Sequence, residues 1–287
     1  MSKANRTDRY INLLVAVILI VLLTVGCGAP PRQIAKVMPT ECAPTNLTVM
    51  PNDRQLNLKW DTKCPDSVLL SGYYIYLSNK PLYEKYGHGN PPGSVKPFNE
   101  AVYPGDTDPE DKYETMTIEN LDNGVEYYVS VRTVYADQTV SISSNEVGII
   151  CRPEGEFDLA FRYSELNDGF SFASGASVRA DGDNNDIYFY SKDNVDYIAS
   201  PHRLNGFLRK SDFYSLGKTA DIYQYPEFKL DIPPVEKMPV RGGESYLVKT
   251  AEGNFAKLRI ESVTGEGKSR TMKIRYIYQT VPGLMRF

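Results

Sequence analysis

The sequence predicts an all-β protein, with two successive β domains that follow an N-terminal apolar segment. Apolar and polar residues alternate with a period of two in many short runs, which places one face of each strand on a core. Tyrosine is abundant, with 21 of 287 residues, and glycine and proline separate the runs. After the apolar segment, no long stretch shows the 3.6-residue period of an amphipathic helix.

The length of the chain indicates how many domains it has, and its charge indicates which classes of partner it binds. A chain of 287 residues is too long for one small domain and suits two domains after a short leader. The 32 Lys and Arg residues face 36 Asp and Glu residues, so the formal net charge is −4. Because no basic stretch stands out, we expect no nucleic-acid partner.

The N-terminus has the organisation of a secretory signal. Basic residues at positions 3, 6 and 9 precede 16 mostly apolar residues from Ile11 to Gly26. A membrane-spanning helix needs about 20 apolar residues, so this stretch is short for one. The pattern predicts a signal helix that is removed from the mature protein. An uncleaved anchor is the alternative, since residues 10–28 span a membrane if tilted.

The end of this segment, LTVGC, resembles a bacterial lipobox. In that motif the thiol of the first mature residue receives a diacylglyceryl group, and the chain is cut before it. The resemblance implies a signal peptide over residues 1–26, a lipidated and palmitate-bearing Cys27, and a tether over residues 27–41. Because Gly28 follows the cysteine instead of Asp, it also implies a lipid anchor in the outer membrane, with the protein periplasmic or surface-exposed.

The first predicted domain covers residues 42–153. Strand patterns occur in APTNLTV, QLNLKW, SGYYIYLS and GVEYYVSVRTVY, and turn residues separate them. In order, these pieces resemble a fibronectin type III module, and SSNEV resembles the last strand of that family. The resemblance implies a sandwich in which Trp60, Leu121 and Tyr127 are structural. Tyr127 fits the tyrosine corner, whose hydroxyl bonds to backbone a few residues upstream. Residues 80–112 are longer than the family requires.

Three cysteines remain besides Cys27. In the fibronectin type III topology, Cys42 lies just before the first strand and Cys64 just after the second, at the same end of the sandwich. Cys151 lies at the other end. The resemblance therefore implies a disulfide bond between Cys42 and Cys64, worth about 3 kcal/mol on the chain-entropy model. Three reduced or buried thiols are the alternative.

The second predicted domain, residues 154–287, reads as a β-rich, sandwich-like unit. EFDLAFRY, GFSFASGASVRA and DIYFYS are candidate strands, and a proline-rich stretch, IPPVEKMPV, interrupts the pattern. The last three runs predict a meander with Ala256, Leu258 and Ile260 on one face of its middle strand. Tyr188 and Tyr190 are two residues apart and share a strand face, as do Tyr223 and Tyr225.

Two fragments of this domain resemble the ends of HmuY-type haem-binding lipoproteins. They are FDLAFR and GNFAKLRIESV with IRYIYQ. The resemblance implies a β framework and, as an alternative function, a carrier for haem or another small ligand. Haem iron in that family is held by His or Met pairs. In this chain, the candidate ligand is His202, with Met238 as its possible partner, since His88 falls in the first domain.

No motif predicts a metal site, a cofactor or a catalytic centre. DGDNND at residues 181–186 fails as an EF-hand loop, because Asp186 stands at position six and Lys192 at position twelve. It is predicted to be a solvated turn. No nucleophile motif surrounds a serine. A carboxylate pair of a glycosidase can assemble in space and stays open as an alternative.

These observations predict a non-catalytic cell-envelope lipoprotein that acts in binding, adhesion or scaffolding at the bacterial surface. Its expected partners are the membrane, through the lipid anchor, and an unknown envelope protein or glycan. The alternatives are a haem or small-ligand carrier and an accessory to a secreted glycan-active enzyme.

Overall fold

The computed structural model describes residues 40–65, 67–86, 95–106, 112–164, 166–224, 226 and 231–287. Within the chain, residues 39–287 form one compact unit. The predicted signal, Cys27 and His88 lie outside the described residues. In the described part, no helix has the length and apolar character that crossing a membrane requires.

The described chain is almost entirely β structure, as predicted. The first half contains strands β1 (Thr45–Asn52), β2 (Gln55–Asp61), β3 (Leu70–Ser78), β4 (Tyr113–Ile118), β5 (Glu126–Tyr135) and β6 (Val147–Ile150), with one short helix, α1 (Leu82–Tyr86). The second half contains β7 (Glu154–Ala160), β8 (Gly169–Ser171), β9 (Ala176–Val178), β10 (Ile187–Lys192), β11 (Val195–Ala199), β12 (Asp212–Lys218), β13 (Lys237–Pro239), β14 (Glu244–Lys249), β15 (Phe255–Thr264) and β16 (Thr271–Gln279).

The first six strands form two antiparallel sheets, in the orders β1-β2-β4 and β3-β5-β6. Their inward residues alternate along each strand and meet in one core. Trp60 at its centre is fully buried, and its ring meets the edges of Tyr73 and Tyr103 at centroid distances of 5.2 and 6.3 Å. Leu121 is buried in the same core.

The sandwich contains the predicted disulfide bond and a hydrogen bond at the predicted tyrosine corner. Cys42 and Cys64 form a disulfide bond, and Cys151 is a buried free thiol. The hydroxyl of Tyr127 accepts a hydrogen bond of 3.1 Å from the backbone N–H of Asp122, five residues upstream. This contact ties the loop before β5 to the start of that strand.

The long stretch between β3 and β4 returns to the sheet. The backbone of Tyr103 exchanges two hydrogen bonds with that of Tyr73, at 2.7 and 3.0 Å. A Cβ at Gly72 would lie 2.1 Å from the carbonyl oxygen of Tyr103, and Gly72 has φ of +135°. Only glycine allows this close approach.

The second half is a sandwich of two five-stranded sheets. Their strand orders are β13-β11-β10-β8-β9 and β12-β14-β15-β16-β7. The predicted meander is confirmed as β14-β15-β16, and Ala256, Leu258 and Ile260 share its core face. The proline-rich stretch does contain a strand, β13, but it has three residues and lies at a sheet edge, where proline is tolerated.

The predicted solvated turn at residues 181–186 is only partly solvated. Asn185 and Asp186 are buried, at 0% and 1% exposure. Asn185 accepts a hydrogen bond from the N–H of Phe170, and Asp186 accepts one from the N–H of Phe172 and one from Arg209. The prediction is wrong for these two residues because they satisfy backbone donors of the neighbouring strand instead of water.

The two sandwiches meet through a short connection and the C-terminal tail. Three residues, 151–153, separate β6 from β7, and the carbonyl of Pro153 accepts a hydrogen bond from the N–H of Tyr278. The tail, residues 280–287, runs beside the first sandwich: a Cβ at Gly124 would meet Val281 at 2.5 Å. The boundary predicted at residues 153 and 154 stays a prediction.

Candidate binding surface

The outer face of the β13-β11-β10-β8-β9 sheet is aromatic. In β10, Ile187 and Phe189 point into the sandwich core, so the alternate residues Tyr188 and Tyr190 point outward. Lys192 follows at the next outward position. This pairing of tyrosines on one strand face is what the sequence spacing predicted.

The neighbouring strand adds a third ring. Tyr197 in β11 lies directly opposite Tyr190, and Ala199 lies opposite Tyr188. The three rings stack in a row: the centroids of Tyr188 and Tyr190 are 5.7 Å apart, and those of Tyr190 and Tyr197 are 5.2 Å apart, with interplanar angles of 26° and 16°. We call this surface the tyrosine face. Its members are Tyr188, Tyr190, Lys192, Tyr197, Ala199 and Lys237.

The hydroxyl groups of the three tyrosines are uncommitted. None of them makes a hydrogen bond to another residue in the part of the chain that the structure describes. Tyr188 is only 5% exposed, and burial raises its pKa to about 12, with the neighbouring Tyr190 adding to the shift. Because a phenol hydroxyl can both donate and accept hydrogen bonds, this row has capacity for both that the described residues do not use.

Cations border the row. The ammonium of Lys237 lies 5.0 Å from the ring centre of Tyr197, a cation–π contact. Lys192 and Arg203 are exposed, and the charge of Arg203 opposes the burial that raises the pKa of Tyr188. Within the described residues, none of these three cations forms an ion pair.

The carboxylates near the tyrosine face have partners of their own. Glu236 lies 2.9 Å from the ring of His202, which lowers the pKa of Glu236. Asp181 pairs with Arg179 at 3.0 Å. The surface therefore has local positive charge, although the chain as a whole is acidic.

The predicted ligand residue His202 does not lie on this face. It is the second residue of a 3-10 turn, Pro201–Arg203, after β11, and its Nδ1 contacts Glu236. Met238, its possible partner for haem iron, packs against the core between the two sheets. The two side chains thus have different neighbours: Glu236 for His202 and the core for Met238.

Tyr223 also departs from the predicted arrangement. It lies in the loop after β12 instead of a strand, and its hydroxyl donates a 2.8 Å hydrogen bond to Glu154. Tyr225 is outside the described residues. Glu154 is partly buried, and this burial raises its pKa, although the Tyr223 hydroxyl and Arg152 oppose the shift.

Asp186 belongs to a structural ion cluster. Arg209 contacts its carboxylate at 2.7 Å, and also contacts Glu252. The pKa of Asp186 is raised by burial, and the charge of Arg209 only partly offsets this rise. No group of three or more His, Cys, Asp or Glu side chains in the described residues is arranged to hold a metal ion.

The sequence spacing predicted that Tyr188 and Tyr190 share a strand face, but it did not predict that Tyr197 and Lys237 join them. Tyr197 and Lys237 are added by cross-strand pairing, since β11 lies between β10 and β13. The available signal was the DIYFYS run followed by the Asp193-Asn194 turn and DYIA, which together have the pattern of a hairpin.

Comparison with known proteins identifies the first sandwich. Residues 42–147 match the family model of the fibronectin type III domain. No curated protein matches the chain.

Among solved structures, one titled as a myokine structure is 17% identical with a TM-score of 0.26, over 40% of this chain and 99% of that one. A family 28 exopolygalacturonase from Yersinia enterocolitica is 16% identical with a TM-score of 0.24, over 42% of this chain and 21% of the enzyme. Residues 42–147 are thus a fibronectin type III domain.

Proposed function

We propose that this chain is a non-catalytic lipoprotein of the bacterial cell envelope, acylated on Cys27 and held at the outer membrane, that binds an envelope component. The fibronectin type III domain suggests a binding or scaffolding role. The observation that carries the proposal is the tyrosine face. It is a sheet surface with three stacked rings, uncommitted hydroxyls and unpaired cations among the described residues.

The arrangement of polar groups favours binding over catalysis. The ring of His202 contacts Glu236, and no hydrogen bond joins it to a serine or cysteine in the described residues. The buried carboxylates Asp168 and Asp186 are engaged by arginines and backbone N–H groups. These groups hold loops in place and leave no pair arranged for acid–base chemistry there.

The anchor is tested by replacing the lipidated cysteine. In cells fed radiolabelled palmitate, the wild-type chain and Cys151→Ala should carry label and sediment with the outer membrane. Cys27→Ala should carry none and should lose stable association with the membrane, because attachment through acyl chains is what holds the protein there. Label that persists in Cys27→Ala contradicts the anchor.

The binding surface is tested by photocrosslinking in intact cells. A photoreactive phenylalanine at position 190 should give a discrete adduct, whereas the same group at Lys63, an exposed residue of the first sandwich, should not. Adducts of equal yield at both positions, or none at position 190, contradict a binding role for the tyrosine face.

A further inference from the structure

We propose that the tyrosine face binds an acidic polysaccharide, in an extended conformation across β10, β11 and β13. This inference rests on the proposed binding role and names the chemical class of the ligand. Three features of the surface carry it: its charge, the orientation of its rings and the spacing of its lysines.

The outward positions of the three strands are basic. Lys192 lies at the end of β10, and Lys237 lies opposite Ala199 in β13. No Asp or Glu occupies an outward position of β10, β11 or β13. Asp193 in the adjoining turn offsets one charge, so Lys192, Lys237 and Arg203 leave an excess of cations in a chain whose net charge is −4. Charge complementarity favours an anionic ligand.

The ring orientation favours a ligand rich in oxygen atoms. Because the three rings stack on one another, their flat faces are largely used within the row. The edges and hydroxyls of Tyr190 and Tyr197, which are partly exposed, are left for a ligand. Phenol hydroxyls both donate and accept hydrogen bonds, which matches the hydroxyl and ring oxygens of a sugar.

The spacing of the lysines favours a polymer. Lys192 is paired with Val195, four residues along β11 from Ala199, which is paired with Lys237. Strand rise and strand separation place the two lysine backbones about 16 Å apart. A single small anion can contact both ammonium groups only if Lys237 leaves the ring of Tyr197. A polymer with repeated acidic groups can contact both lysines while that cation–π contact is kept.

The test compares two polymers that differ in charge alone. The full-length chain in detergent is titrated with carboxymethyl dextran and with neutral dextran of the same length. Carboxymethyl dextran should bind at least tenfold more tightly, and 0.5 M NaCl should weaken its binding by screening. The double variant Lys192→Gln/Lys237→Gln should bind it at least tenfold more weakly.

Two further variants separate the surface from general charge. Tyr190→Phe/Tyr197→Phe keeps the stacked rings and removes two hydroxyls, so binding should weaken about threefold to tenfold. Lys63→Gln removes one exposed cation of the first sandwich and should change the affinity less than twofold. Unfolding curves confirm that each variant is folded.

Several results would overturn the inference. These are equal affinity for neutral dextran, an equal loss in Lys63→Gln, or binding to phosphatidylglycerol vesicles and to neither polysaccharide. The polysaccharide-binding result can be distinguished from the test of the lipid anchor. A Cys27→Ala chain that is not acylated still has its tyrosine face. If acylation is observed and polysaccharide binding is not, this inference alone fails.

Discussion

The two outer faces of the second sandwich differ in what covers them. The β12-β14-β15-β16-β7 sheet carries an apolar outer cluster of Tyr214, Leu216, Leu247 and Phe255, against which Met285 and Phe287 of the tail pack. We call it the covered face. The opposite sheet carries the tyrosine face, where Ala180 and Leu204 pack beside Tyr188, which is buried, while Tyr190 and Tyr197 stay partly exposed. Both surfaces are aromatic, but the tail covers the first, whereas the tyrosine face is covered only around Tyr188.

This difference separates a surface that stabilises the fold from the surface that we propose binds a ligand. On the covered face, the loop after β12 also takes part: the carbonyl of Gln224 accepts a 2.7 Å hydrogen bond from the ammonium of Lys257. Burial there contributes to folding. On the tyrosine face, polar capacity is left over. Substitutions on the covered face should therefore change stability, whereas those on the tyrosine face should change binding.

The largest effect is expected from Leu247→Ala on the covered face. Leu247 is fully buried, so its truncation should lower the free energy of unfolding by about 3 kcal/mol. Val195→Ala, at 39% exposure beside the tyrosine face, is the aliphatic control and should cost less than about 0.5 kcal/mol. Urea unfolding measures both. Equal losses would contradict the distinction between the two faces.

The next effect is the pH dependence due to Lys257. Burial lowers its pKa from 10.5 to about 8, so the unfolded state binds more protons between these values. Stability should therefore rise with pH through this window, by about 2 kcal/mol from pH 7 to pH 9.5. Urea unfolding of wild type and Lys257→Met at both pH values isolates the contribution of Lys257. Both values lie below the usual pKa of tyrosine.

Lys257→Met should remove that rise and should stabilise the protein at pH 7, where the wild type keeps a buried charge. A parallel pH dependence in both proteins would show that Lys257 is not the group responsible. Lys192→Met, on the exposed tyrosine face, serves as the matched control and should retain the wild-type rise.

A smaller effect is expected from the tail. Met285→Ala and Phe287→Ala should each lower the free energy of unfolding by about 1 kcal/mol, because both side chains are half-buried against the covered face. Binding to the tyrosine face should be unchanged. Losses of polysaccharide affinity in these variants would show that the two faces are coupled.

The smallest effect concerns the ion pair between Arg286 and Glu126, 3.0 Å apart and joining the tail to the first sandwich. Both side chains are substantially exposed, so solvent screens the pair. A double-mutant cycle with Arg286→Ala and Glu126→Ala should give a coupling of about 0.5 kcal/mol that decreases in high salt. A coupling above about 2 kcal/mol would mean that this contact locks the two sandwiches.

Period-two alternation was enough to predict the fibronectin type III strands and the β14-β15-β16 meander, but it did not predict β11, β12 or β13. The alternation gives no sign that Lys257, between the core residues Ala256 and Leu258, is buried. Its burial depends on tertiary packing, in which the loop after β12 supplies the carbonyl of Gln224 to its ammonium. The same limit applies to Lys237 and Asp186, whose partners Tyr197 and Arg209 are distant in sequence.

The packed tail has a practical consequence for labelling. A tag fused directly after Phe287 must leave from the edge of an apolar cluster, where it competes with the side chains that close it. A tag at the N-terminus is removed if the signal is cleaved. The β15–β16 turn at Gly265–Gly267 is exposed and lies between two long paired strands. An epitope inserted there leaves both the tail and the row of tyrosines intact for fluorescence or capture experiments.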